Sequence, residues 1–318
     1  MRRIVWLVVA AMAGLGAARL ARADRCRRTE ASVVPLLSFA PHAMAGGLLG
    51  YLLLRRQRVA AAAAGLTGTA LAAVVLPRAI RRPQPRADGP VLRVITANLQ
   101  HGRADEEALV GLVRRKNADV LFLQELTESA VVRLKQAGLA DALPHELTDV
   151  RYETSRGSGI YARFPLTEGA PFPSSFAAQP TARLDLPGGE AVDLACIHTN
   201  PPNPPAPLQV ARWREELGML PPPAGSPQTP PLVLAGDFNA TLDHEHFRRV
   251  LRRGHVDAAA RLGRGLVPTW GPLTRGPGVL TIDHVLLDPR CEVLAVGVHR
   301  LPRSDHRAVY AELRLPAR

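Results

Sequence analysis

The chain begins with apolar runs that are long enough to cross a lipid bilayer. Val33–Leu54 contains 22 residues without a formal charge, and Pro35 and Pro41 are its main irregularities. A milder, Ala-rich run over residues 59–80 follows a basic turn at residues 55–58. A transmembrane helix needs roughly 20 mostly apolar residues. We therefore predict spans over residues 33–54 and 59–80 that form a helical hairpin, with a soluble hairpin as the alternative.

A third apolar run lies at the amino terminus. Ile4–Ala18 follows Met1-Arg2-Arg3 and has only 15 residues. Ala21-Arg22-Ala23 resembles the A-x-A site of a cleaved signal peptide. Residues 4–20 are therefore either a signal segment or a first span, and residues 1–80 form a membrane region with two or three helices. The Ala-, Arg- and Pro-rich composition is typical of high-GC bacteria, so we expect a multi-pass protein of the bacterial cell membrane.

The net charge of +12 is confined to this region and its flank. Residues 1–86 carry 14 Arg against Asp24 and Glu30, whereas residues 87–318 carry 26 basic and 26 acidic residues. Basic residues that flank apolar runs are typical of membrane topology. The neutral remainder makes a nucleic-acid partner less favoured and a lipid bilayer the expected one.

The Arg distribution leaves the orientation open between two readings. A count of the basic residues on each side of the spans places the long carboxyl-terminal part inside the cell. The tight basic turn at residues 55–58 and the A-x-A site favour the opposite orientation, and long domains translocate largely regardless of charge. We expect the carboxyl-terminal domain to be extracytoplasmic.

A Pro-rich, charged stretch over residues 81–90 reads as an extended linker. The domain after it, residues 91–318, contains short apolar runs separated by helical patterns and turns, which indicates mixed α/β structure. The predicted strands include 91–97, 120–123, 158–166, 191–199, 231–235, 279–287, 291–300 and 308–315. The predicted helices include 105–115, 127–137, 208–220 and a basic, solvent-facing one at 244–251.

Polar residues stand at the ends of several of these strands, at an interruption of the strand 279–287, and in the loops. In the stretch PLVLAGDFNA, Asp237 and Asn239 follow a buried strand, and their spacing places both side chains on one side of an extended backbone. Asp-x-Asn after a strand is often only turn chemistry, but the same kind of residue recurs in this position. The full set is Asn98, Glu125, His198, Asp237, Asn239, Asp283, Asp305 and His306.

The composition of this set favours a hard cation. It offers carboxylate and amide oxygens with two His, and the chain's three cysteines show no paired metal-binding spacing. Mg²⁺ or Mn²⁺ suits such ligands better than zinc.

The order N…QE…HTN…GDFNA…IDH…SDHR resembles the endonuclease/exonuclease/phosphatase (DNase I-like) superfamily. The resemblance covers about residues 91–316 and implies a four-layered α/β sandwich with two packed mixed β-sheets. It also implies metal-dependent phosphoric ester hydrolysis by direct attack of water. The phosphate-contacting Tyr of many nuclease members has no clear counterpart.

The resemblance implies a role for each polar residue. Glu125 and Asn98 hold Mg²⁺ and phosphate, and Asp305 assists as a metal ligand. Asp237 activates the water, Asn239 positions it, and His306 stabilises charge on the phosphate. Asp283 orients His306, and His198 binds phosphate or acts as an acid.

The membrane spans joined to such a domain resemble the VanJ-type membrane phosphoesterases linked to vancomycin and teicoplanin resistance. That likeness implies a lipid-linked phosphate substrate such as undecaprenyl pyrophosphate. A membrane-tethered nuclease that cuts DNA or RNA is the first alternative, and a catalytically silent lipid-binding module is the second.

Overall fold

The computed structural model describes residues 2–150, 154–172, 175–203, 207–223, 225–226 and 228–317. Its helices are α1 (Arg2–Leu20), α2 (Glu30–Leu37), α3 (Ala40–Leu53), α4 (Arg58–Val75), α5 (Glu106–Lys116), α6 (Glu128–Gln136), α7 (Leu139–Ala142), α8 (Pro207–Met219), α9 (Glu245–Arg252) and α10 (Ala258–Arg261). Its strands are β1 (Val91–Asn98), β2 (Val120–Gln124), β3 (His145–Asp149), β4 (Ser158–Ala162), β5 (Leu166–Glu168), β6 (Thr181–Asp185), β7 (Ala191–His198), β8 (Leu232–Asp237), β9 (Val256–Asp257), β10 (Asp283–Leu287), β11 (Glu292–Arg300) and β12 (Arg307–Arg314).

The strands form two six-stranded sheets, in the orders β11-β12-β1-β2-β4-β3 and β5-β6-β7-β8-β10-β9. Each sheet is mixed, because β1 with β2 and β7 with β8 are parallel while their other neighbours are antiparallel. Apolar residues from the facing sides of both sheets form one buried cluster, which includes Val94, Phe122, Leu194, Val233 and Val285. The sheets therefore pack face to face.

Helices cover the outer face of each sheet. Leu109 and Leu134, from α5 and α6, pack on the first sheet, and Trp213 and Phe247, from α8 and α9, pack on the second. The four layers of helix, sheet, sheet and helix confirm the predicted sandwich of two mixed sheets.

Local sequence signals set the helix starts. The carboxylate of Asp105 accepts a hydrogen bond from the Ala108 amide, and the hydroxyl of Thr127 accepts one from the Ala130 amide. Each side chain satisfies an amide that the first helical turn leaves unpaired. Both residues were predicted as the first helical residue, and the structure places them one position before it.

The predicted single strand over residues 158–166 is wrong. It divides into β4 and β5, which belong to different sheets. Pro165 lies at the division and has no amide hydrogen to donate to a strand ladder. Strand β3, which pairs with β4, was not predicted from the sequence.

The amino-terminal helices carry the apolar runs. α1 and the helical stretch from Arg58 to Ala79 are each long and apolar enough to cross a membrane, and α2 with α3 makes a third candidate that is bent by 65°. The predicted continuous helix over 33–54 is therefore wrong. Pro41 lacks the amide that would bond to the Leu37 carbonyl and lies in the first turn of α3, where proline is tolerated, so the helix breaks at residues 38–39.

Helices α3 and α4 pack through glycines. A Cβ atom placed on Gly68 would lie 2.6 Å from the Leu48 amide nitrogen, and one on Gly47 would lie 2.8 Å from the Ala64 carbonyl oxygen. Small residues at such a contact let two helix backbones approach closely, as they do in membrane helix pairs. Large apolar side chains face outward on the three long helices and remain exposed, including Leu7, Leu53 and Leu66.

The amino-terminal helices also dock on the sandwich. Asp243 is fully buried and binds Arg19 Nε at 2.8 Å and Arg78 Nη2 at 2.6 Å. Val34 of α2 belongs to the same buried cluster as Trp213 of α8. The carboxyl ends of α1 and α4 therefore lie on the side of the membrane region that contacts the domain.

The linker runs along the domain surface. Gln84 exchanges side-chain hydrogen bonds with the Val293 backbone, and the Gly89 amide donates to the Leu315 carbonyl oxygen. The chain between membrane region and sandwich is thus extended and held at several points.

Candidate functional site

The two parallel strand pairs bring the predicted polar residues to one edge of the sandwich. Asn98 at the end of β1 pairs in register with Gln124 at the end of β2, directly before Glu125. His198 at the end of β7 pairs with Asp237 at the end of β8. Since parallel strands end at the same edge, and the two sheets pack face to face, residues distant in sequence become neighbours.

Asn98 connects the two sheets. Its Nδ2 donates to Glu125 Oε1 at 3.2 Å and to Asp237 Oδ2 at 3.1 Å. The backbone amide of Gln100 donates to Asn98 Oδ1, and that of His101 donates to Glu125 Oε2 at 2.7 Å. These contacts fix the two carboxylates on either side of one amide.

The dihedral angles at the strand ends are unusual. Glu125 and Asn239 adopt left-handed backbone conformations, with φ of +53° and +47°. Non-glycine residues rarely do so except in turns or at functional positions. Gly236, before Asp237, is required for packing, because a Cβ atom there would lie 1.8 Å from the Ile197 carbonyl oxygen. This close approach sets where β8 delivers Asp237.

His306 and Asp283 form a buried dyad. His306 Nδ1 lies 3.0 and 3.1 Å from the two Asp283 carboxylate oxygens, and Nε2 lies 3.7 Å from Asp237 Oδ2. Ser304 supports the loop by accepting from the His306 amide and donating to the Asn98 carbonyl oxygen. The ring is thus oriented with Nδ1–H toward Asp283 and Nε2 toward Asp237.

Burial and charge act in opposite directions on this dyad. Burial alone lowers the pKa of His306, but the carboxylates of Asp283 and Asp237 outweigh it and raise the pKa to about 10. Burial raises the pKa of Asp237 to about 7, with Asp283 and Glu125 adding to the increase and His306 opposing it. The imidazolium is therefore the stable form of His306 beside these carboxylates.

Asn239 and His198 complete this side of the site. The Asn239 amide donates to Asp237 Oδ1 at 2.8 Å, and its side-chain Nδ2 donates to the Thr199 carbonyl oxygen. Burial lowers the pKa of His198 to about 4, so the ring is neutral at pH 7. Its buried Nδ1 has no hydrogen-bond partner among the described residues. Both predicted roles of His198, phosphate binding and proton donation, remain predictions.

Asp305 lines the same cavity as Glu125, but its side chain is held by a different partner from those of the other predicted metal ligands. Its Oδ2 accepts a hydrogen bond from Trp270 Nε1 at 3.0 Å, whereas Glu125 and Asn98 lie together with Asp237. Trp270 was not identified from the sequence, since an uncharged aromatic residue in a Pro- and Gly-rich loop carries no signal of chemistry.

The donor set fits a divalent cation. The group has excess negative charge, because the carboxylates of Asp237 and Asp283 share the His306 imidazolium and, in the described part of the chain, the Glu125 carboxylate has only the His101 ring as a basic group beside it, at 3.7 Å. The raised pKa of Asp237 reflects burial and then this crowding. Among the described residues, one group of three His or acidic side chains has its ligand atoms all within 4.8 Å of one another, and it consists of Asp237, Asp283 and His306. Asp283 already holds His306, whereas the Glu125 oxygens and Asn98 Oδ1 each accept one hydrogen bond from a neighbouring amide and keep a lone pair for a cation.

A cavity of about 600 Å³ is lined by residues of this site, among them Glu125, Asp237 and His306, and by residues of the amino-terminal helices. Pro35, Ser38 and Phe39, at the bend between α2 and α3, face the same cavity as Asp237 and His306. His244 ties this bend to the loop after β8, because its Nε2 contacts the Val34 carbonyl oxygen while its Nδ1 accepts from the Thr241 amide.

Sequence reasoning missed this wall. It treated residues 33–54 as a membrane span, and the prolines were the only signal of a bend. It also predicted a basic, solvent-facing helix at 244–251. The side chains of Arg249 and Arg252 are about half exposed, but His246, Phe247 and Val250 are buried, which was not predicted.

Comparison with known proteins is consistent with this geometry. The sequence model of the Endonuclease/Exonuclease/phosphatase family matches residues 95–306. No curated protein matches the chain.

Several solved structures share the fold. An endonuclease/exonuclease/phosphatase from Beutenbergia cavernae is 22% identical, with a TM-score of 0.55 over 71% of this chain and 72% of that one. A humanized D. rerio TDP2 is 19% identical, with a TM-score of 0.53 over 70% of this chain and 98% of that one. A beta toxin from Staphylococcus aureus, solved with bound magnesium ions, is 16% identical, with a TM-score of 0.50 over 70% of this chain and 99% of that one.

Proposed function

The chain belongs to the Endonuclease/Exonuclease/phosphatase family, and we propose that it hydrolyses a phosphate or pyrophosphate ester of a membrane lipid. Members of this family are hydrolases that act on phosphoester bonds. The chain is such a hydrolase. The narrower proposal is a membrane-anchored, Mg²⁺-dependent phosphoesterase with a substrate such as undecaprenyl pyrophosphate.

One observation supports the lipid substrate above all. The cavity that holds Asp237 and His306 is closed on one side by Pro35, Ser38 and Phe39 of an apolar helical segment. A phosphate bound at His306 would therefore lie beside a segment whose continuation, α3, carries exposed apolar side chains such as Leu49 and Leu53. A lipid-linked phosphate can place its headgroup in the cavity and its chain along the helix. A short tether also raises the effective concentration of the site toward membrane substrates.

The chain's own groups divide the reaction between them. Asp237, held by Asn98 and the Asn239 amide, is the acceptor for the proton of the attacking water. The His306 imidazolium, held through Nδ1 by Asp283, presents Nε2 to the charge that develops on the phosphate oxygens. His198, neutral and buried with an unpaired Nδ1, provides a further polar contact. Glu125 and Asn98 would hold Mg²⁺, whose positive charge would help to neutralise the phosphate.

Phosphate release from full-length protein in detergent tests the proposal. Undecaprenyl pyrophosphate and supercoiled plasmid are offered in parallel with Mg²⁺. Asp237→Ala serves as the inactive variant, and Asp141→Ala, at an exposed aspartate, serves as the matched control. We expect lipid turnover in the wild type and the control, none in Asp237→Ala, and loss of turnover with EDTA.

Two results would contradict the proposal. Plasmid nicking without lipid turnover would identify a tethered nuclease instead. Retained turnover in Asp237→Ala would show that the site is assigned to the wrong residues.

We further propose that the domain is extracytoplasmic. Arg19 and Arg78 both contact Asp243, so the carboxyl ends of α1 and α4 lie beside the domain. The amino terminus and the basic turn at residues 55–58 lie at the other ends of these helices, and they would face the cytoplasm if the domain is outside. A reporter fused after Arg318 that is active only outside the cell should give signal, and activity of a cytoplasm-only reporter would reverse the orientation.

A further inference from the structure

A second cavity of about 600 Å³ lies where the membrane region meets the sandwich. It lies between the carboxyl ends of α1 and α4 and the surface formed by α9, β9 and α10. None of its lining residues lines the catalytic cavity. Six arginines line it, namely Arg19, Arg78, Arg82, Arg248, Arg252 and Arg261.

Four of these arginines are paired with acids. Asp243 binds Arg19 and Arg78, and Glu245 binds Arg248 and Arg252. These pairs fix the walls of the cavity, and the two carboxylates balance half of the charge on the four arginines.

The other two have no acidic partner. Among the described residues, no carboxylate forms an ion pair with Arg82 or Arg261. Asp257, the acidic residue on the lining, is taken by His284, whose Nδ1 lies 2.7 Å from it. Burial, and then the neighbouring Arg82, lower the pKa of Arg261. The cavity therefore carries excess positive charge that an anion would balance.

The position and the remaining lining indicate what kind of anion. Arg19 lies in the last turn of α1, and Arg78 follows the end of α4 by three residues. If those helices span the bilayer, the cavity lies at the level of the lipid headgroups. Apolar side chains complete its lining, including Val74, Leu242, Leu251 and Val256. Arginines beside apolar residues suit a phosphate with a glycerol and acyl stem attached.

We propose that this arginine pocket, lined by Arg19, Arg78, Arg82, Arg248, Arg252 and Arg261, binds the phosphate of an anionic phospholipid headgroup. The bound lipid would bridge α4 and α10 and hold the sandwich in one orientation on the membrane. The inference rests on the proposed membrane anchoring and is independent of the chemistry in the catalytic cavity.

Lipid binding to the full-length protein tests the pocket. Protein in a zwitterionic detergent is titrated with dioctanoyl phosphatidylglycerol, with dioctanoyl phosphatidylcholine and with inorganic phosphate, and bound ligand is counted by native mass spectrometry. The test variant is Arg82→Gln/Arg261→Gln. The matched control, Arg55→Gln/Arg56→Gln, removes the same charge at the far end of the α3–α4 hairpin.

We expect one phosphatidylglycerol per wild-type chain, and an affinity at least about tenfold weaker in the test variant but not in the control. No bound phosphatidylcholine should be detected at the same concentrations. Binding of inorganic phosphate that equals the lipid in affinity and depends on the same arginines would support the anion site with free phosphate as its source. Equal lipid binding by the two double variants would overturn the proposal.

Two further measurements test whether the variants are folded and whether they remain catalytically active. The melting temperature without lipid shows whether the test variant is folded, and the single variants Arg82→Gln and Arg261→Gln replace it if it is not. Hydrolysis of a water-soluble phosphoester should be unchanged in all of them. Loss of lipid binding with intact hydrolysis thus separates the pocket from the catalytic proposal.

Discussion

Replacing Asp243 by Asn tests how the membrane region is attached to the catalytic domain. The Asp243 carboxylate is fully buried and its Oδ1 accepts from both Arg19 and Arg78, which are each only 6% exposed. The substitution keeps the side-chain shape but removes the negative charge. Two buried guanidinium groups are then left without a counter-ion.

The size of the expected loss of stability follows from the burial of Asp243, Arg19 and Arg78. Removing one partner from a buried ion pair costs about 3–5 kcal/mol, because an uncompensated charge remains in a medium of low polarity. The exposed pair of Arg183 and Asp193 provides the comparison, with about half of the arginine side chain exposed. Asp193→Asn should cost less than about 1 kcal/mol, since solvent screens that pair.

Urea unfolding of the full-length protein in mild detergent measures the difference. Trp213 is buried with its ring centroid 5.1 Å from that of His244, so its fluorescence reports on this interface. A triple variant, Arg19→Met/Asp243→Leu/Arg78→Met, removes all the charges together. It should recover most of the lost stability if the cost comes from orphaned charge.

The pH dependence of the unfolding free energy provides a second test of this ion pair. Burial raises the pKa of the Asp243 carboxyl, but Arg78 and Arg19 outweigh burial and hold it below its ordinary value of 3.8. A lowered folded-state pKa contributes stability above pH 3.8, and this stability is lost as the pH falls through the folded-state value. The difference between wild type and Asp243→Asn should therefore narrow in acid. A cost of Asp243→Asn no larger than that of Asp193→Asn at pH 7 would refute the reasoning.

Three further variants test other parts of the structure. Asp283→Asn should lower kcat about 10²–10⁴-fold without loss of folding, because His306 loses the charge that holds its imidazolium; an unchanged kcat would contradict the dyad. Phe39→Ala should raise KM for undecaprenyl pyrophosphate and not for a water-soluble phosphoester, since Phe39 lies where the amino-terminal helices line the cavity. Equal effects on the two KM values would contradict a role of Phe39 in lipid binding. Gly68→Ala should destabilise the hairpin by about 1–3 kcal/mol in thermal unfolding, because its Cβ would clash with the backbone, whereas the control Gly14→Ala has open space; equal melting temperatures would exclude the close packing.

The strands and helix starts could be predicted from the sequence because they depend on interactions between residues close together in the chain. The apolar runs at 120–123 and 231–235 are buried strands whose own composition favours that conformation, and Asp105 and Thr127 mark helix starts through bonds within one turn. The order of polar residues at strand ends then identified the superfamily, which supplied the two packed sheets. The sequence prediction missed the breaks at Pro165 and Pro41, because the apolar residues on both sides of each proline resembled one continuous strand or helix.

The site divides in the same way. The sequence by itself determined which residues are available, since Asn98, Glu125, Asp237, Asp283 and His306 stand at strand ends whatever the packing. Only the tertiary structure decided their partners: that one Asn98 amide lies between two carboxylates, that Asp305 pairs with Trp270, and that the Pro35–Phe39 bend closes the cavity. Each of these contacts joins segments far apart in the chain. Their distances depend on how the sheets and the amino-terminal helices pack, and no local periodicity encodes that packing.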